Sequence, residues 1–525
     1  MTRDRDKVVV IGAGMGGLAA TIRLAHAGLD VTLVEARGAS GGKMRTVPSG
    51  AGPVDAGPTV LTMKPVFDDL FAAAGTSIEA HLSLVPLPVL ARHWWPDGTT
   101  LDLHADADAS AEAIRSFAGP KAEAQFRRFS ATSAALFQAF DAPVMQRPKP
   151  DPMGIGRALL RNPAITPWLL PGVTLAQALA RSFTDPRLRQ LFGRYATYVG
   201  GSPARSPAVL ALIWEAEARG VWAVEGGMAR LAATLEALAV QGGATILHNA
   251  PATRIVETWG RVTGVTLTDG HTLPCAHVVH AGDPAALTEG LLGSAMRSAV
   301  PHKAVHPRSH SAWVWAYAAR PHGLPLAYHN VMFASDPALE FTQIARGEMP
   351  TEPTLYICAQ DRAAGQPTGE ERFEIILNAP PVSPDGSMNL EEEDRLCRTR
   401  TFQTLQRFGL SFDPIPEAGS LTGPTRFARM FPASRGSIYG LSPHGLTAAF
   451  RRPGARTGLP GLYLAGGGVH PGAGIPMSTL SGKHAAEAIL TDRASTFRSV
   501  PTAMPGGMST ASQTTGATPS RSSPS

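Results

Sequence analysis

The hydrophobic pattern is clearest at the start of the chain. Lys7–Ile11 (KVVVI) is a continuous run of strand formers, and a glycine turn follows from Gly12 to Gly17. Ala19–Ala27 has helix-forming composition and stops at Gly28, and Asp30–Glu35 (DVTLVE) is a second short apolar run. The pattern predicts a compact strand–helix–strand unit of about 30 residues. The first run does not alternate with polar residues, as expected for a strand of a parallel sheet covered on both faces.

Residues 65–135 read as mixed, with a hairpin-like turn at Trp94–Gly98. From about 106 to 220 the composition is mostly helical. Residues 225–243 form an amphipathic helix between glycine turns. Short strands then follow at ATILHN, TRIVET, RVTGVTLTDG and HVVHAGDP. Residues 310–435 alternate strand-like runs (SAWVWAYAA, PTLYICAQD, FEIILNAP) with helical ones, and residues 461–490 read as strand, glycine loop and helix. From 499 onward a Ser/Thr/Pro/Gly tail is expected to be disordered. Pro152–Thr184 has no acidic residue and sets Arg157, Arg161 and Arg181 among Leu, Ile, Pro and Trp168. It reads either as a membrane-surface or substrate-entry element, or as a buried helical pair with prolines at its ends.

Composition narrows the picture. Apolar residues make up 44%, enough for a large core in 525 residues, and charged residues only 17%. Broad disorder and polyelectrolyte behaviour are excluded. The net charge of +5 is too small over this length to argue for nucleic acid. It fits contact with an anionic membrane or an apolar ligand better. Cys275, Cys358 and Cys397 are far apart and form no CxxC, which argues against a disulfide framework or a cysteine-based zinc site and for a reducing, cytoplasmic setting. The N-terminus carries charges of both signs and does not read as a secretory signal. No window offers about 20 uninterrupted apolar residues, so no membrane span is expected. HExxH and P-loop lysine motifs are missing and the histidines are scattered, so no metal site is predicted.

The candidate chemistry begins in the glycine turn. Gly12-x-Gly14-x-x-Gly17 lies between the first strand and the helix. Gly12 allows the tight turn, Gly14 lets backbone approach a pyrophosphate, and Gly17 lets the helix pack on the strand. The helix amino end then offers unpaired N–H groups to phosphates. Glu35 ends the second strand, where a carboxylate accepts both ribose hydroxyls of a dinucleotide. Arg37 and Lys43 flank Gly41-Gly42. Lys43 faces the cofactor phosphates in this reading, and the alternative is that both cations are solvated surface charges.

Arg37-x-x-x-Gly41-Gly42-Lys43, following the ribose acid, resembles the motif of the FAD-dependent amine oxidase and carotenoid desaturase superfamily. GLYLAGGGVHPGAGIPM (461–477) resembles the signature of bacterial-type carotenoid (phytoene) desaturases. Gly467 stands where related flavoenzymes often carry an Asp, a departure shared with the desaturases. Further matches are DAGPT (55–59), NAPATRI (249–255) and AGDP (281–284). Four stretches resemble the 1-hydroxycarotenoid 3,4-desaturase (methoxyneurosporene dehydrogenase) branch more than phytoene desaturase: GPTVLTM (57–63), GVWAVEGGMARLA (220–232), YICAQDR (356–362) and GSIYGLSPHGLTAAFRRPGAR (436–456).

The resemblance, over residues 6–490, implies an α/β fold: a Rossmann-type FAD-binding domain, a discontinuous β-sheet substrate domain and a helical membrane-facing subdomain. The expected division is FAD-binding at 1–75, 206–300 and 435–495, substrate domain at 76–135 and 301–434, a helical part at 136–205 and a tail at 496–525. FAD is the implied cofactor. Its implied contacts are Gly12, Ala13, Gly14, Met15, Gly16, Gly17, Glu35, Ala36, Arg37, Gly42, Lys43, Ala252, Gly466, Gly467, Gly474, Ile475 and Met477. The implied activity is desaturation of an acyclic carotenoid, a 1-hydroxy or 1-methoxy derivative at its 3,4 bond, with oxygen or a quinone as electron acceptor. The implied location is cytoplasmic, peripherally on the cell or intracytoplasmic membrane. Alternatives are phytoene desaturase, a carotenoid isomerase, or a non-catalytic lipid-binding escort protein of the same fold. No catalytic acid or base is assigned. His470 and Glu225 are the candidates, and His470 reads equally as a flavin hydrogen-bonder or a structural loop residue.

Overall fold

The structure, a computed structural model, describes residues 7–383, 389–445 and 448–498. The expected polar tail from 499 lies outside these residues. In chain order, the first elements that position the site are β1 (Lys7–Ile11), α1 (Met15–His26), β2 (Asp30–Val34), β3 (Val89–Trp94) and β4 (Thr100–His104). The helices α2 (Pro152–Arg161), α3 (Leu175–Ser182), α4 (Pro186–Gly193) and α5 (Met228–Gln241) follow. Then come β5 (Thr245–Leu247), β6 (His277–His280), β7 (Ser311–His322), β8 (His329–Met332), α6 (Pro337–Ala345), β9 (Leu355–Ala359) and β10 (Glu371–Ala379). The last are α7 (Leu390–Arg407), β11 (Leu462–Leu464) and α8 (Ile475–Arg498).

β11, β6, β1, β2 and β5 form one sheet in that order, and all four pairings are parallel. Its strands come from three separate stretches of the chain, and β1 lies at the centre. Val8, Val9 and Val10 are all buried, which is why KVVVI shows no alternation. α1 and α8, from opposite ends of the sequence, pack on one another. A Cβ on Gly482 of α8 would overlap the Gly16 carbonyl of α1, so only glycine allows this approach.

A second, eight-stranded mixed sheet runs Ser411–Asp413, β7, β10, β9, β8, β3, β4, with Leu421–Thr422 also paired to β7. Alternation along β10 divides its faces. Phe373, Ile375 and Leu377 join the core that includes Cys397 and Leu405 of α7. Ile376 and Asn378 point the other way, into a cavity closed by α3, α4 and α6. The Trp94–Gly98 turn joins β3 to β4 as an antiparallel pair.

The acid-free stretch divides in two. α3 begins with a capping box in which Thr174 and Gln177 satisfy each other's backbone N–H, and it buries Leu175, Ala178 and Leu179. α2 buries none of its residues, and Met153 and Leu160 are 75% and 85% exposed. A buried helical pair therefore describes only the second half. Among the described residues no helix is long and apolar enough to cross a membrane.

Candidate functional site

The site starts at the β1–α1 turn. Gly12 adopts φ +102° and donates its N–H to Val34 O at 2.8 Å, so the turn is tied to the end of β2. A Cβ on Gly17 would overlap Gly12 O, and one on Gly16 would overlap Gly466 N. Gly14 is different: a Cβ there would meet nothing within 4 Å. Two glycines are thus needed for chain packing, while Gly14 opens onto free space at the amino end of α1. Glu35, itself buried, accepts Ala13 N at 2.7 Å through Oε2 and Arg37 N at 3.0 Å through Oε1. These bonds hold the carboxyl group aimed, and each oxygen keeps acceptor capacity for a hydroxyl. Ala250 N donates to Glu35 O at 2.8 Å, which brings the strand beginning at Ala252 beside the acid.

The surrounding charge is positive. Arg452 donates to Gly467 O at 2.8 Å, Tyr439 O at 2.9 Å and Leu441 O at 3.0 Å. Arg308 is ion-paired with Asp283. Burial pulls the Lys43 ammonium down to about 8, with Asp283 opposing and Arg308 and Arg452 adding to the shift. Burial, then Arg308, lowers Arg452 to about 10. Three cations thus share one acid, and this surplus together with the open space above Gly14 and the aimed Glu35 fits an anionic dinucleotide. Lys43 donates to Ile438 O at 2.8 Å, and Arg37 to Met430 O at 2.7 Å, with both cations over the Phe431 ring. Neither is a solvated surface charge.

The C-terminal loop closes on this turn. Gly466 N donates to Ser481 Oγ at 2.7 Å, and Gly472 and Gly474 take positive φ before α8 begins at Ile475. Gly474, Ile475 and Pro476 form one wall of the cavity, whose volume is about 880 Å³. The rest of its lining is mainly apolar, with Leu179, Val331, Phe333 and Ile376 among it. Two buried polar clusters reach the wall: in one, Glu340 accepts from Thr354 at 2.7 Å and from Asn378 at 3.3 Å, and the other centres on Glu217. Arg194 pairs with Glu217 at 3.3 Å, Tyr195 donates to Glu217 at 2.5 Å, and Tyr198 donates to the other carboxylate oxygen.

The structure therefore brings Gly12–Gly17, Glu35–Arg37, Gly42–Lys43 and Gly466–Gly467 together. Ala252 lies on the Glu35 side, and Gly474 and Ile475 lie at the cavity. Ala36 is exposed, Met15 is buried, and Met477 packs against the core of the helical layer. His470 Nε2 lies 3.0 Å from both Val144 O and Arg147 O, which gives it a structural role in its loop. Glu225 is exposed and does not line the cavity. Sequence reasoning missed Thr59, Arg194, Arg308, Tyr356 and Arg452. Thr59, Tyr356 and Arg452 stand in stretches singled out for their resemblance, but nothing in the pattern marked them individually.

Residues 15–490 match the family described as flavin containing amine oxidoreductase. The chain is 60% identical over 493 residues to the hydroxyneurosporene desaturase of Cereibacter sphaeroides, covering 94% of this chain and 99% of the relative. It is 55% identical over 494 residues to the hydroxyneurosporene desaturase of Rhodobacter capsulatus, with the same coverage. An oxidoreductase from Methanosarcina mazei of solved structure shares the fold at a TM-score of 0.59 and 17% identity, over 92% of this chain and all of that one.

Proposed function

The chain belongs to the flavin-containing amine oxidoreductase family, and from that premise we propose that it desaturates an acyclic carotenoid at its 3,4 bond, the substrate carrying a 1-hydroxy or 1-methoxy group. It is an FAD-dependent oxidoreductase. FAD, when bound, takes up the hydride that leaves the substrate. The observation that carries the substrate reading is the apolar cavity of about 880 Å³, one wall of which is the amino end of α8 at Gly474–Pro476.

The chain's own residues supply position and dryness. Leu179, Val331, Phe333 and Ile376 offer hydrocarbon contact and exclude water. The glycine turn, Glu35 and the Arg452 cluster hold the dinucleotide. Removing two hydrogens from a saturated carbon pair requires no strong nucleophile, and no cysteine or lysine is among the described residues that line the cavity. The percent identities to hydroxyneurosporene desaturases support the desaturase over an escort protein.

Each buried CH2 is worth about 0.8 kcal/mol, so a long polyene is drawn from a bilayer rather than from water. Met153, Leu160 and Leu170, exposed in the acid-free stretch, support a membrane-facing role for residues around 152–170. The electron acceptor of this reading is oxygen or a quinone. Chromatography of products after incubating the protein with FAD, liposomes and each of phytoene, neurosporene and 1-hydroxyneurosporene tests it. Conversion of the hydroxylated substrate is expected, and its absence would contradict the proposal.

A further inference from the structure

We propose that the phenol of Tyr356 is the group that reads the oxygen on carbon 1 of the substrate, an inference that rests on the reading above. Tyr356 lies on β9, where the register pairs it with Ile376 of β10 and Val331 of β8. All three line the cavity, so the phenol belongs to its sheet-side floor. Its oxygen is 2.7 Å from Thr59 Oγ1 and 2.7 Å from His329 Nδ1. A phenol has one donor and two acceptor positions. Two are taken by partners that fix the hydroxyl in place, and the third is left for a ligand.

Position along the cavity follows from the chemistry. Three bonds of about 1.5 Å separate the 1-oxygen from carbon 3, so the oxygen stays within ~4 Å of the carbon that reacts. A reader must therefore stand at the cofactor end of the cavity. Thr59 does. Its loop is anchored two residues earlier, where a Cβ on Gly57 would overlap Lys43 O, and Gly42 in turn sits against Gly14. The wall residues Gly474–Pro476 share this cavity. The buried carboxylates near the cavity, Glu217 and Glu340, are already committed, because Glu217 accepts from Arg194, Tyr195 and Tyr198 together and Glu340 accepts from Thr354 and Asn378.

His329 is buried, and desolvation brings its pKa down to about 3, so the Tyr356–His329 pair carries no charge. Which partner donates depends on the imidazole tautomer. With Nδ1 bare, the phenol donates to it and its oxygen accepts a substrate hydroxyl. With Nδ1 protonated and Thr59 donating to the phenol oxygen, the phenol O–H is free to donate to a hydroxyl or a methoxy oxygen. One pair thus accommodates both substrate ends. A plain hydrocarbon would leave the phenol's third position unpaired in a dry site, a loss that such sites convert into selectivity. Thr59 and Tyr356 also stand in two of the stretches, 57–63 and 356–362, that resemble the hydroxycarotenoid branch.

The test compares wild type, Tyr356→Phe and Thr59→Val, each reconstituted with FAD in liposomes, on 1-hydroxyneurosporene and neurosporene. Both changes keep the side-chain shape and remove one hydroxyl. The readouts are the ratio of kcat/KM for the two substrates and the ratio of their Kd values from the absorption shift of the bound carotenoid. Tyr356→Phe is expected to reduce the wild-type preference for the hydroxylated substrate by about 10- to 100-fold in both ratios. Thr59→Val, acting through Tyr356, is expected to reduce it less. A Tyr356→Phe preference within twofold of wild type, or a wild type without preference, would overturn the proposal. If wild type turns over neither carotenoid, the desaturase reading fails, and the Kd ratios alone decide the role of Tyr356.

Discussion

Gly16 on α1 touches Gly466 in the loop before α8 so closely that a Cβ on the first would overlap the backbone nitrogen of the second. The contact joins the two ends of the chain at the amino end of α1, where Gly14 faces open space. These two glycines therefore have opposite consequences. Gly16→Ala is expected to destabilise the fold by about 3 kcal/mol or more, because backbone must move. Gly14 has φ −74°, which alanine adopts freely. Gly14→Ala is expected to leave the melting temperature of the flavin-free protein unchanged and to weaken FAD binding about 10-fold or more, since the methyl takes cofactor space. Thermal denaturation and fluorescence titration with FAD separate the two.

Glu35 presents a carboxylate fixed by Ala13 N and Arg37 N. Glu35→Gln retains the shape and loses the charge that strengthens its bonds to ribose hydroxyls. Hydrogen bonds to charged groups contribute about 1.5–3 kcal/mol, so FAD affinity should fall about 10- to 100-fold. Equilibrium dialysis against FAD measures this directly, and an unchanged Kd would remove Glu35 from the cofactor site.

Glu374, on β10, is completely buried, and neither carboxyl oxygen has a hydrogen-bond partner among the described residues. Desolvation, reinforced by Asp55 and opposed by Arg45, raises its pKa well above the ordinary value of 4.5. Above pH 4.5 the unfolded chain releases this proton while the folded chain keeps it, so the folded state binds more protons and its stability falls as pH rises. Glu374→Gln removes this dependence. The melting temperature of the variant relative to wild type should therefore rise as pH increases above 4.5. A constant or falling difference would contradict the assignment.

Leu160 and Leu170 are exposed, by 85% and 47%. Replacing both with Glu removes apolar contact and adds charge repelled by anionic lipid. Co-sedimentation with anionic liposomes is expected to drop more than about 10-fold, each lost leucine contact being worth about 1.5–3 kcal/mol. The melting temperature should not change, because neither side chain contributes to the core. Undiminished co-sedimentation would contradict a membrane-facing role for residues around 152–170.

The first βαβ unit was legible because its chemistry is local. Gly12, Gly14, Gly17 and Glu35 are fixed by short-range turn and helix geometry, and β1 falls at Lys7–Ile11 as expected. The same holds for α5, whose ends at Met228 and Gln241 lie inside the glycine turns that bracket it. The cavity was not legible, because its polar groups meet only through tertiary structure. Thr59 reaches Tyr356 across most of the chain, and Arg452 and Arg308 are brought to Asp283 by packing. Glu225 was a candidate on residue type alone, and its exposure in the turn before α5 takes it away from the cavity.

The residues that would hold one FAD, where the two chain ends meet, border the cavity that would hold one carotenoid, so each bound FAD would accept two hydrogens from one substrate molecule. Anaerobic incubation of the FAD-loaded protein with excess 1-hydroxyneurosporene in liposomes, without an added acceptor, tests it most directly. Chromatography should find one newly desaturated carotenoid per bound FAD, with further product only after oxygen or a quinone is admitted. No product, or product far exceeding bound FAD without an acceptor, would contradict a single flavin acting on a single carotenoid.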